Sequence, residues 1–310
     1  METYKTILLE KRRHGALITL NRPGVLNAIN PELCRELDGA LESVRTDPEV
    51  RAVVITGSRD SFSVGEDLSA ERLHPTAWPS GLPEGSSLVY EYDRRRDASR
   101  DWTLQSQMHR WEYPKPIIAA VSGWCLGAGA SLALTCHLTV AADNAVFGQP
   151  QVRHSAGSDF IWVLLTGFKK ALRYALTGDH LDAREALRMR LVNKVVATDT
   201  LLDTCFAIVE RIALVPPETV KINLQKATLG LEMMGLRKAV NLNAELSAMA
   251  ELSTREEFGR PLEQARKEGG LKGFFAARDA AFQPEPFGPR SENPQGSGLG
   301  TRPSRSKSQG

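Results

Sequence analysis

Two rhythms alternate along the chain. The short β-branched runs GALITLNRP (15–23) and RAVVITGS (51–58) end in turn residues, as strands do. Between them Asn30 is placed to cap a helix that starts at Pro31, and Leu33, Leu37, Leu41 and Val44 then share one face. PIIAAVS, a helix from about Ala128 and the strand LTVAAD (138–143) repeat the arrangement, as do helices around 160–175 and 181–189 followed by LVNKVV (191–196). This alternation predicts an α/β core with mostly parallel strands over residues 1–198.

From about residue 199 the pattern is helical only, through DTLLDTCFAIVERIAL, PPETVKINLQKATLG and a long run from Gly235 to Phe282, which predicts a C-terminal helical region over 199–282. Residues 283–310 are rich in Pro, Gly and Ser, nearly lack large apolar groups, and are expected to be a disordered tail. Residues 69–113 make an unusually long connection, with the loop HPTAWPSGLPEG and a helix through DWTLQSQMHRWEY, of the kind that shapes a pocket or lid. The run DRRR (93–96) reads as a solvated helix face rather than a phosphate site.

Composition changes little in this picture. The 310 residues are 25% charged and 42% hydrophobic with a net charge of +2, an ordinary globular balance that gives no pull toward nucleic acid or anionic membrane. Pro116 to Cys136 carries no formal charge over the length of a membrane span, but its glycines and Pro116 divide it into a buried strand, a turn and a buried helix. Cys34, Cys125, Cys136 and Cys205 lack metal-ligand or disulfide spacing and read as free thiols of a reducing cytoplasm, with no metal implied.

The candidate chemistry sits in GWCLGAGASLAL (123–134), a glycine turn running into a helix, whose exposed N–H groups suit negative charge. It is neither GxGxxG nor a phosphate-binding loop, which argues against a dinucleotide. Taken with ITLNRPGVLNAIN, VVITGSRDSFSVGEDL, AADNAVFGQPQV and ALTGDHLDAREALRMRLVNKVV, the order and spacing resemble the enoyl-CoA hydratase/isomerase (crotonase) family from about residue 5 to 200, and more loosely to 282.

That resemblance implies a spiral of ββα turns, assembly as a trimer or hexamer through the C-terminal helices, and a coenzyme A thioester as substrate, with no separate cofactor. It also implies an oxyanion hole made by the backbone N–H groups of Glu66 and Ala128, beside Gly127. Removing one such donor typically costs about 3 kcal/mol. Leu26, Asn27 and Ala28 match the coenzyme's adenine side, and Val64, Gly65, Asp67 and Leu68 the substrate-side loop. Lys272 and Phe275 match residues that meet the coenzyme of a neighbouring subunit.

The chain departs from the family where hydratases carry two glutamates, at Ser131 and Gln151. An amide does not exchange protons and a serine needs a base, so two-glutamate hydration is expected to be impaired, each acid/base role being worth about 10²- to 10⁴-fold. Asp159 falls where dienoyl-CoA isomerases and an aryl-CoA dehalogenase of the family carry a working aspartate, and is also well placed to cap a helix before FIWVLLTG. His154 is the one histidine near these motifs, placed either to move a proton or to act structurally. The readings are an acyl-CoA enzyme (hydratase, isomerase or C–C lyase/hydrolase using Asp159) or a catalytically silent member acting as a CoA-ester-binding, scaffold or RNA-binding protein.

Overall fold

The structure is a computed structural model that describes residues 4–58, 61–68, 87–100, 106–154, 157–253 and 256–285. The larger of two sheets is built from β1 (Ile7–Arg12), β2 (Gly15–Leu20), β3 (Ala52–Gly57), β5 (Ile117–Val121), β7 (Leu138–Ala142) and β10 (Lys194–Val196), in the order β1-β2-β3-β5-β7-β10. Within this sheet, among the described residues, β1 and β2 pair antiparallel and the remaining pairs are parallel, as the alternation of strands and helices requires. The smaller sheet runs β4 (Ser61–Ser63), β6 (Trp124–Leu126), β8 (Val146–Gly148), β9 (Leu181–Asp182).

Both faces of the large sheet are covered, which explains why β3 reads as a continuous apolar run rather than an alternating one. Val53 and Ile55 enter the main core with Leu33, Leu37 and Leu41 of α1 (Pro31–Arg45). Ala52 and Val54 face the other way, onto Cys205, Phe206 and Val209 of α8 (Leu201–Ala213). Full burial of one such side chain contributes about 1.5–3 kcal/mol. Asn30 accepts a hydrogen bond from Leu33 N–H at 2.9 Å, so the cap and the Pro31 start are those expected from the sequence.

Departures from the pattern have local causes. The helix expected over 160–175 is two, α5 (Phe160–Thr166) and α6 (Phe168–Thr177), because Gly167 sits at φ 81 between them. α7 (Ala183–Arg188) follows, capped by Asp182, and α9 (Pro217–Met233) follows α8. The long C-terminal run divides into α10 (Leu236–Ser253) and α11 (Glu256–Ala280), and α11 is itself interrupted at Gly270. β1, β4, β6, β8 and β9 are short or edge elements that the apolar pattern does not announce.

Residues 283–285, the start of the segment expected as a tail, are described. Glu285 is buried, accepts from Arg153 at 3.1 Å and from the His180 backbone N–H at 2.7 Å, and fastens the end of the described chain to the core. Residues 286–310, the loop HPTAWPSGLPEG and residues 101–105 of DWTLQSQMHRWEY lie outside the described residues. DRRR lies on α2 (Leu88–Arg100), where Arg94 and Arg95 pair with Glu91, Arg95 also with Glu251, and Arg96 with Asp93. Among the described residues no helix is long and apolar enough to cross a membrane.

Candidate active site

β4 and β6 lie side by side and parallel, so the loops leaving their C-terminal ends meet. Gly65 (φ 101) and Gly127 (φ 49) are the residues in contact there: a Cβ on Gly127 would stand 4.0 Å from Gly65 Cα, and one on Gly65 would stand 2.9 Å from Leu126 O. Both hold backbone conformations that side chains disfavour, so glycine is required on steric and conformational grounds. The residues that follow are Glu66 and Ala128, which this junction places at the same end of the small sheet. Ala128 begins α4 (Ala128–Leu134), with Gly127 as its N-cap.

Arg22 and Asp67 hold the first of these loops. Asp67 is buried and accepts from Arg22 Nη1 at 2.8 Å, while its N–H donates to Ile29 O at 2.9 Å. Asn27 is fully buried; its amide donates to Ser58 O and Ser61 O, and its Oδ1 accepts from Arg22 N–H and Ser58 Oγ. The Asn27 side chain is therefore committed to fixing the turn, as Asp67 is to the Arg22 pair. Leu26, in the left-handed region, is exposed, and Ala28 is buried with its carbonyl accepting from Arg22. Val64 packs on Trp124, Leu126 and Val146, and Leu68 O accepts from Arg266 of α11 at 2.8 Å.

A cavity of ≈ 30 Å³ opens beside this junction, walled by Ile29, Leu33, Cys34, Leu37, Ala128 and Leu132, with Asp38, Ser106, Gln107, Arg110 and Ser131 as its polar members. Gln107 and Arg110 come from α3 (Ser106–Trp111), the end of the long connection. Burial pushes the Cys34 thiol up to about 12, so it supplies no thiolate here.

Asp159 sits directly behind Ser131 and Gln107. It is buried, and its carboxylate accepts from Gln107 Nε2 at 2.8 Å and from the Ile161 N–H at 3.0 Å, while the Ser131 hydroxyl donates to Gly127 O at 3.4 Å and acts on the carboxylate electrostatically. It caps α5 and touches the cavity's polar residues at once. Burial raises its pKa, and the nearby Ser131 hydroxyl, the hydrogen bonds from Ile161 and Gln107 and the charge of Arg110 oppose the rise without cancelling it. Gln149 Oε1 accepts from the Asp159 N–H at 2.8 Å and holds the backbone in place.

Gln151 brings Oε1 to 3.4 Å from the position a Cβ on Gly127 would take, and that oxygen is buried with no hydrogen-bond partner among the described residues. His154 turns elsewhere. Its ring packs on Phe274 at 5.5 Å, burial lowers its pKa to about 3, and the neighbouring charges are Arg278 and Asp279 of α11. Lys272 is exposed on α11, and Phe275 packs edge-on to Phe274 under the Arg278 guanidinium. Gln107, Arg110 and Gln149 were not singled out in the sequence. The sole hint was that the connection holding Gln107 and Arg110 is long enough to wall a pocket.

The family profile described as enoyl-CoA hydratase/isomerase matches residues 11–283. The chain belongs to the enoyl-CoA hydratase/isomerase family. A probable enoyl-CoA hydratase of Rhizobium meliloti is 34% identical over 291 residues, covering 91% of this chain and 99% of that protein. The (E)-benzylidenesuccinyl-CoA hydratase of Thauera aromatica is 34% identical over 232 residues, covering 73% and 82%. Among solved structures, an enoyl-CoA hydratase/isomerase from Xanthobacter autotrophicus Py2 superposes with a TM-score of 0.80 at 32% identity, covering 90% of this chain and 99% of that one. The fold is thus the crotonase-like α/β fold expected from the sequence, and an acyl-CoA thioester substrate fits this family of enzymes.

Proposed function

We propose that this enzyme moves a proton beside the carbonyl of an acyl-CoA thioester, using Ser131 and Asp159 in place of a glutamate pair. The observation that carries the reading is a buried carboxylate of raised pKa, Asp159, that accepts at 2.8 Å from Gln107, a residue of the cavity that Ser131 also lines. A serine facing substrate needs a base behind it, and Asp159 is that base.

In the proposed step the α-carbon proton passes to Ser131 Oγ as the serine's own proton passes to Asp159. The electrons of the C–H bond move into the enolate. Glu66 N–H and Ala128 N–H hold the enolate oxygen, the second at the start of α4. Reversal returns the proton to the α-carbon, or to the γ-carbon in an isomerisation. The orphaned Gln151 Oε1, too weak a base to remove a proton, is suited to orient a water molecule or a polar substrate group.

The reaction class is therefore hydratase/isomerase chemistry with one ionisable carboxylate, without a cofactor beyond the coenzyme A of the substrate. Exposed apolar side chains on α9 and α10, among them Ile222, Leu229, Met233, Leu242 and Met249, support assembly through these helices as a trimer or hexamer. Four free cysteines, three of them buried, support a cytoplasmic location.

The test is deuterium exchange at the α-carbon of a saturated acyl-CoA in D₂O. Wild type should exchange, and Ser131→Ala and Asp159→Asn should each slow exchange by about 10²- to 10⁴-fold while still binding the ester. Exchange by Asp159→Asn at the wild-type rate would remove Asp159 from the mechanism.

A further inference from the structure

Arg110 is a buried cation without a counterion in contact. It is 5% exposed, and its Nε donates to Thr135 Oγ1 at 2.8 Å. Its two terminal nitrogens have neither a hydrogen-bond nor an ion-pair partner among the described residues, and the residue lines the cavity that also holds Ala128 and Ser131. With Nε held by Thr135, the terminal edge of the guanidinium is the part left to meet a ligand. A buried charge is normally paired, so an open fork at the end of a substrate pocket is a receptor for an anion.

Among the described residues no carboxylate is in contact with it. Asp38, half-buried on the same cavity, acts on it through space, and its Oδ1 is joined to His109 Nδ1 at 3.1 Å. Asp159 acts on Arg110 through space, without an ion pair, and already accepts from Gln107 and the Ile161 N–H. Cys34 and Cys136 lie close, but burial pushes both thiols up to about 12, so both are neutral near pH 7. Burial also lowers the pKa of Arg110 itself, the electrostatic signature of a cation short of partners.

We propose that Arg110 selects acyl-CoA esters whose short acyl chain ends in a carboxylate, the monothioesters of dicarboxylic acids. The walls between Ala128 and the guanidinium are the apolar Ile29, Leu33, Leu37 and Leu132, suited to methylene groups. The ≈ 30 Å³ of free space is room for about two water molecules, which the two oxygens of a carboxylate would replace. The fork geometry of arginine favours a planar carboxylate held by two parallel hydrogen bonds.

This inference rests on the acyl-CoA reading above, and binding tests it separately from turnover. Calorimetry would compare glutaryl-CoA with its ω-methyl ester, which keeps chain length and removes the charge. Wild type should bind the acid about 10- to 100-fold more tightly than the ester, Arg110→Gln should bring that ratio to near one, and Arg110→Lys should restore part of it. Absence of a preference in wild type, or equal losses for acid and ester in Arg110→Gln, overturns the proposal; the second outcome makes Arg110 a support for Asp159. Loss of α-proton exchange on both ligands with the preference intact would instead remove the proposed chemistry and leave the selectivity standing.

Discussion

Gln107 donates its amide N–H to Asp159 Oδ2 at 2.8 Å, across 52 positions of sequence, while its own Oε1 is buried without a hydrogen-bond partner among the described residues. The donor end therefore favours the ionised carboxylate, and the idle acceptor end would be satisfied only if Asp159 carried a proton. The pair is poised between two protonation states, and this sets the first two expectations.

Asp159→Asn should reduce turnover by about 10²- to 10⁴-fold without loss of stability. Asparagine keeps the helix cap and offers an N–H to the idle Gln107 Oε1. The sign agrees. A carboxyl whose folded pKa is raised contributes stability below its ordinary pKa and loses it as pH rises through the folded value, so at pH 7 the ionised group is a cost that the amide removes. Thermal melts at pH 7 beside acyl-CoA kinetics check both halves; a melting temperature several degrees lower would contradict this account.

The acid limb of the kcat/KM profile should lie above the ordinary aspartate range, because Asp159 must be ionised to act and its pKa is raised. Gln107→Leu deletes a donor that favours the charged form, so the limb should move to still higher pH. A shift toward acid in this variant would mean that another group titrates.

Gly127→Ala should impair catalysis more than binding. The residue sits at φ 49 and ψ −122, and its new Cβ would press to 3.4 Å from Gln151 Oε1. The conformational cost is about 1–3 kcal/mol, and relief by backbone rotation would turn the Ala128 N–H away from the position proposed for the thioester oxygen. Loss of one such donor corresponds to about 10²- to 10³-fold in kcat, readable against an unchanged affinity for a saturated acyl-CoA.

Glu285→Gln should loosen the C-terminal segment. Burial alone would raise the Glu285 pKa, but hydrogen bonds from His180 and the charge of Arg153 outweigh it and hold it down to about 2. Its contribution is present above the ordinary carboxylate value and is lost as pH falls from about 4.5 toward 2. The variant leaves Arg153 less well paired in a site where its side chain is fully buried, at a cost of about 3 kcal/mol. Hydrogen exchange should rise first across Asp279 to Gln283, and the melting temperature should depend less steeply on pH in this window.

The sequence by itself determined the local elements and the family: the cap at Asn30, the apolar runs of β2, β3 and β5, and the glycine turn before Ala128 are all written in neighbouring residues. Local propensity and a period of two or 3.6 suffice for these, because each depends on contacts within a few positions. It also carried the replacements at Ser131 and Gln151, and with them the expectation of an altered acid/base set.

Only the tertiary structure decided what stands behind Ser131. Asp159 was readable as a helix cap and as a working acid, and it proves to hold the capping position while accepting a hydrogen bond from the cavity residue Gln107. His154 looked adjacent in sequence, yet the five-residue turn Pro150–His154 directs it to Phe274. Gln107 and Arg110 belong to a connection with no motif, and their position follows from how α3 packs against α1 and α4. The physical reason is the same in each case. Burial and hydrogen-bond partnership arise between segments far apart in the chain, and these, rather than residue type, decide which carboxylate is poised and which cation is left open.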